Sequence, residues 1–70
     1  MDNFDKEVIT KIKEYIKTNN LSVKKIAVAS GITYHKLWSI LTQSNSIKLS
    51  DYIAICSAFN EPFDTFIPKN

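Results

Sequence analysis

Seventy residues suffice for one domain, and a chain this short buries only about 60% of the surface its unfolded form exposes, which leaves no room for a two-lobed active site. Hydrophobic residues make up 44% of the chain and charged residues 23%, a balance that suits a globular fold and excludes a disordered tail. The formal net charge is only +2, but no Asp or Glu stands between Tyr15 and Ser50, where Lys17, Lys24, Lys25, Lys36 and Lys48 face acidic flanks, a layout that turns a small domain toward a polyanion.

The first segment, Met1 to Glu7, is acidic and polar, unlike a secretory leader, and no later stretch approaches the ~18 apolar residues of a membrane span, so a soluble, cytoplasmic protein is expected. Phe4, Val8, Ile12, Tyr15 and Ile16 then form one stripe of an amphipathic helix, with Asp2 or Asn3 to cap its start and Asn19-Asn20 to end it. Ser22 is a good N-cap for a second, short helix from Val23 to Ala29, and Gly31 can take the positive φ needed to leave it. Thr33 caps a third helix, Tyr34 to Leu41. Thr42-Gln43-Ser44-Asn45-Ser46 reads as a loop.

Leu49, Tyr52, Ile53, Cys56 and Phe59 mark the inner face of a fourth helix that ends near Asn60, and Pro62 can open a last helical turn presenting Phe63, Phe66 and Ile67. The expected architecture is an all-α, compact five-helix bundle, a single domain over residues 1–70. Cys56 is the only cysteine, which excludes a disulfide framework and a multi-cysteine zinc site; within its apolar run it is expected as a plain buried thiol.

Two short helices around a tight Gly turn make a helix-turn-helix only if their inner faces approach closely. Ile26 and Ile32 supply apolar contacts on either side of the turn, Ala27 is small enough to be crossed, and Leu37 and Ile40 hold the third helix inward. The expected motif spans Ser22 to Leu41. The run from Leu21 through Ile26-Ala27, Gly31-Ile32-Thr33 and Leu37-Trp38-Ser39-Ile40 to Ala58-Phe59-Asn60 resembles the Cro and lambda-repressor helix-turn-helix family over nearly the whole chain. That resemblance implies a lambda-repressor-like bundle, often dimeric, that lays its third helix in the major groove of a double-stranded DNA operator. Such domains are common among phage repressors, plasmid and mobile-element regulators, and antitoxins.

With Leu37 and Ile40 inward, the helical period leaves Tyr34, His35, Lys36 and Trp38 as the candidates for base contact, near the N-terminal end of the third helix. Tyr34 and His35 can hydrogen-bond a base edge, Lys36 can donate to guanine or to phosphate, and the Trp38 ring can pack on a thymine methyl group. Two alternatives stay open: Trp38 as a core residue, and Tyr34 as a backbone contact only. Lys24 and Lys25 occupy the first turn of helix 2, where the helix dipole disfavours each cation by about 0.3–1 kcal/mol, a penalty that DNA phosphates would reverse. Ser22, Thr33, Thr42, Ser44 and Lys48 complete the candidate phosphate contacts.

The chain departs from the family in places. Val23 stands where Gln is common, and Leu41, Gln43 and Ile47 stand where Glu, Gly and Pro often follow. All nine basic residues are Lys, so the usual bidentate reader of guanine is missing and an A·T-leaning site or modest affinity follows. The expected activity is transcriptional regulation by operator occupancy, with a homodimer through Phe63, Phe66 and Ile67; Phe59 and Phe66 can equally close the monomer core. The alternative is a helix-turn-helix that docks on a repressor or polymerase through Val23, Val28, Ala29 and Trp38. No nucleophile, base and electrophilic site converge in sequence, so an enzyme, a metal site, a cofactor and a small-molecule ligand are not expected.

Overall fold

The computed structural model describes residues 4–43 and 46–67, with the backbone alone at Gln43. Four helices, α1 (Phe4–Thr18), α2 (Val23–Ser30), α3 (Tyr34–Gln43) and α4 (Leu49–Phe59), and no strand occur among these residues. No helix among them is long and apolar enough to cross a membrane. The caps expected at Asp2 or Asn3 lie outside the described residues.

Local chemistry accounts for the helix ends. Ser22 sits in extended backbone and its hydroxyl accepts the Lys25 N–H at 3.3 Å, so α2 starts where a capping oxygen is available. Gly31 leaves α2 at φ 76°, and its N–H reaches the Ala27 and Val28 carbonyls. The Ser30 hydroxyl completes this turn by donating to the Ala27 carbonyl at 3.2 Å and accepting the Ile32 N–H at 3.3 Å. Asn20 and Asn60 play the left-handed role after α1 and α4, at φ 55° and 59°. Asn tolerates that region better than other residues with a Cβ.

α2 packs against both α3 and α4, and α1 packs against α3. The core gathers Val8 and Ile12 from α1, Ile26 and Ala27 from α2, Ile32 from the turn, Leu37 and Leu41 from α3, Tyr52, Ile55 and Cys56 from α4, and Phe66 beyond it. Two faces differ from the expected stripes. In α1, Phe4 is exposed and Ile9, which four-residue spacing passes over, is fully buried. A helix seated among several neighbours needs a stripe wider than a single row, and 8, 9, 12 and 16 provide it. In α4, Leu49 and Ile53 are exposed, whereas Ile55 and the charged Asp51 are buried.

The expected fifth helix does not form. Residues 61–67 make successive tight turns, with the Thr65 N–H on the Pro62 carbonyl at 3.1 Å and the Ile67 N–H on the Asp64 carbonyl at 3.3 Å. Side chains from elsewhere hold this strap. Glu61 accepts the Tyr15 hydroxyl at 3.0 Å and the Thr65 hydroxyl at 3.3 Å, and the Tyr52 hydroxyl donates to the Phe63 carbonyl, an oxygen that a helix would need for its own ladder. Phe66 is the hub of an aromatic cluster, edge-on to Tyr15, Tyr52 and Phe59 at centroid distances of 5.4, 6.4 and 5.8 Å. Fully buried, it is unavailable for the expected dimer contact, while Phe63 remains exposed.

Two expected outcomes test this account. A Cβ built on Gly31 meets nothing within 4 Å, so Gly31→Ala suffers only the left-handed backbone penalty, about 1–2 kcal/mol, and Gly31→Asn less, measured by urea denaturation. A larger loss would mean a clash that the fold does not contain. Burial, followed by the neighbouring Cys56 thiol, pushes the Tyr52 hydroxyl up to about 12 from 10.0. The fold therefore favours the neutral phenol: its contribution is intact below pH 10 and is lost as pH rises toward 12. Thermal melts across that window should show a steeper decline for the parent chain than for Tyr52→Phe.

Candidate functional site

The exposed outer face of α3 follows from the residues that face the other way. Leu37 and Leu41 are buried and Ile40 half-buried. At about 100° per residue, the pole opposite them is formed by His35, Ser39 and Thr42, all exposed. Tyr34 and Trp38 lie on the flank toward α2, and Lys36 on the flank toward α4. Ser39 was not among the sequence candidates, although its place four residues after His35 puts it on the same row.

Trp38 is half-exposed, which settles the choice between core and surface. Its ring runs nearly parallel to the ring of Tyr34, one helical turn earlier, with an interplanar angle of 8° and centroids 6.4 Å apart. Tyr34 is also about half-exposed. The pair forms a continuous aromatic strip on the surface of α3.

Lys36 does not join that face. Its ammonium lies 3.4 Å from the carboxylate of Asp51 in the first turn of α4. Asp51 is buried, and a carboxylate held inward needs a counter-charge, which Lys36 supplies from the neighbouring helix. Lys36, its side chain half exposed, thus bridges α3 to α4 on the flank away from the aromatic strip. Sequence spacing gives no hint of it, because Asp51 lies among apolar residues on a helix read as facing inward through other positions.

The candidate backbone contacts divide in the same way. The Ser22 hydroxyl accepts the Lys25 N–H and the Thr33 hydroxyl accepts the Lys36 N–H at 3.2 Å, so each caps a helix through a lone pair and keeps its own proton to donate. The Thr42 hydroxyl, unlike these two, donates its proton within its own helix, to the Trp38 carbonyl at 2.8 Å. Lys24 borders an open hollow with Ser22, Val23 and Tyr34, beside the aromatic strip. Lys25 borders a second one that also takes in Ser22 and continues to Tyr15, Leu21, Ala58 and Phe59, with no residue of α3. Lys48 is exposed at the start of α4, and its side chain makes no cap bond. Ser44 lies outside the described residues.

Ser22, Lys24, Thr33, Tyr34, His35, Trp38 and Ser39 thus lie along the α2 start, the turn and the outer side of α3, a surface with four hydroxyl groups, one ammonium and no carboxylate of its own. Cys56 is buried, and desolvation pushes its thiol above the usual range, so it stays protonated at neutral pH. No group of three or more His, Cys, Asp or Glu side chains among the described residues comes together as a ligand set. Comparison with protein-family models, with curated proteins and with solved structures finds no match to this chain.

The clamp can be tested by a double-mutant cycle in chemical denaturation. Lys36→Ala should cost about 1–2 kcal/mol by leaving Asp51 unpaired, and adding Asp51→Ala should recover about 1 kcal/mol of that loss. Strict additivity of the two single changes would remove the clamp.

Proposed function

We propose that this chain is a sequence-specific double-stranded-DNA-binding transcriptional regulator that acts by occupying an operator. The observation that carries this reading is the outer face of α3: an exposed row of Tyr34, His35, Trp38 and Ser39, flanked at the helix starts by the unspent protons of Ser22 and Thr33 and by Lys24. A helix presented this way fits the major groove, with the α2 start against the phosphate backbone. The resemblance to Cro and lambda-repressor domains supports the same docking mode, and the absence of acidic residues from Tyr15 to Ser50 keeps this side attractive to a polyanion. In this reading Tyr34, His35, Trp38 and Ser39 meet bases, and Ser22, Thr33, Lys24 and Lys48 meet phosphates.

A single small domain makes few phosphate contacts, so useful affinity requires two half-sites and two copies. Phe63 and Ile67 remain for a homodimer once Phe66 is assigned to the core. Phe4 and Leu49 extend that surface, because they border one hollow with Ile67 and both expose much of their side chains.

A second reading is favoured by one observation. Val28 is 81% exposed on α2, an apolar side chain left in water on a helix that could dock on a protein such as a repressor or polymerase.

A salt titration of duplex binding separates the two readings. DNA binding by contact with phosphates gives a steep linear fall of log affinity with log salt, and Lys24→Ala reduces that slope by about 1 while weakening all sequences alike. Lys25→Ala has the smaller effect, since its hollow lies away from α3. Failure to bind any duplex at low salt would remove the DNA reading and leave the protein-docking one.

A further inference from the structure

We propose that the α3 face selects its site by the C5-methyl groups of thymine, received by the Tyr34–Trp38 aromatic strip, and not by cation donors to guanine; this rests on the DNA-binding reading above. The argument begins with what the face lacks. The bidentate guanine contact needs Arg, or Lys reaching O6 and N7. The chain contains no Arg, and Lys36, the only cation on α3, is held by Asp51 at 3.4 Å on the flank away from the aromatic strip. The outer pole is left with His35, Ser39 and Thr42. A hydroxyl bonds to any base edge that offers a partner and so discriminates little, and that of Thr42 already donates within α3.

What the face does present is apolar. Tyr34 and Trp38 leave about half of their side-chain surface in water at the place where α3 would enter the groove. In the major groove the thymine methyl is the one apolar group on a base edge, and it marks A·T pairs apart from G·C. The rings are nearly parallel, and their centroids lie 6.4 Å apart, close to the ~6.8 Å between bases two steps apart on one strand. One strip can therefore cover methyl groups on a short A·T run. Burying one methyl against an aromatic ring is worth about fourfold in affinity, and two about fifteenfold.

The test uses the whole chain and a random duplex pool copied with either thymidine or deoxyuridine triphosphate. Deoxyuridine keeps every hydrogen-bonding group of thymine and lacks only the methyl. Duplexes selected from the thymidine pool should be A·T-rich and lose about fourfold in affinity for each contacted thymine replaced by deoxyuridine. Placing 5-methylcytosine at the matching position of a G·C variant should recover part of the loss. Tyr34→Ala and Trp38→Ala, both at exposed positions, should bind the two versions of the selected duplex alike. Equal binding of both versions by the unaltered chain overturns methyl selection while leaving DNA binding in place. A selected site whose affinity depends on guanine does the same, and absence of binding to either pool at low salt overturns the DNA reading together with it.

Discussion

The left-handed turn at Gly31 is the constraint on which the arrangement depends. At φ 76° the chain leaves α2, passes through Ile32 and Thr33, and enters α3, and the Ser30 hydroxyl serves both the Ala27 carbonyl and the Ile32 N–H on the way. That tight corner places Ile26 and Ala27 on one side and Ile32 and Leu37 on the other, all buried in one cluster. α1 and α4 then close around this corner, and the strap from Glu61 to Ile67 seals the seam between them by setting Phe66 among Tyr15, Tyr52 and Phe59. Because the corner fixes the rotation of α3 about its own axis, it also decides which side chains of α3 face water.

Exposure and charge on that helix have separate origins. The aromatic strip of Tyr34 and Trp38 is exposed because Leu37 and Leu41 already fill the inward side. Lys36 is turned away because α4 buries a carboxylate within its reach. Asp51 stands in the first turn of α4, where the positive end of the helix dipole favours an acid, and the nearby ammonium completes its compensation. This ion pair bridges α3 and α4, whose main packing partner is α2 in both cases, and draws the one lysine of α3 to the flank away from the aromatic strip.

What could be read from the sequence was local. The cap at Ser22, the turn at Gly31, the ends at Asn19-Asn20 and Asn60 and the outward placement of Tyr34 and His35 each depend on a few neighbouring residues, and the fold retains all of them. Trp38 could not be placed in advance, because its position on the helix borders both the core and the open face. The rest depends on distant partners. In α4, Tyr52 to Cys56 is so uniformly apolar that spacing alone leaves Ile53 and Ile55 interchangeable, and packing on α2 and the core buries Ile55 and leaves Ile53 in water. Leu41 looked like a departure from a familiar pattern and is a core residue at 4% exposure. The segment after Pro62 has the composition of a helical turn, but Tyr15 and Tyr52 claim its polar atoms first.

The Lys36–Asp51 pair has a consequence for how such a protein diversifies. The residue that decides whether α3 offers a cation to its surroundings is a buried acid on another helix. Replacing Asp51 by a neutral residue of similar size would free the ammonium without altering one outward-facing side chain. Lineages descended from this chain can therefore drift in specificity through a position that looks like packing. Alignments of them should reveal the two sites changing together, and the hidden one would be mistaken for a stability determinant.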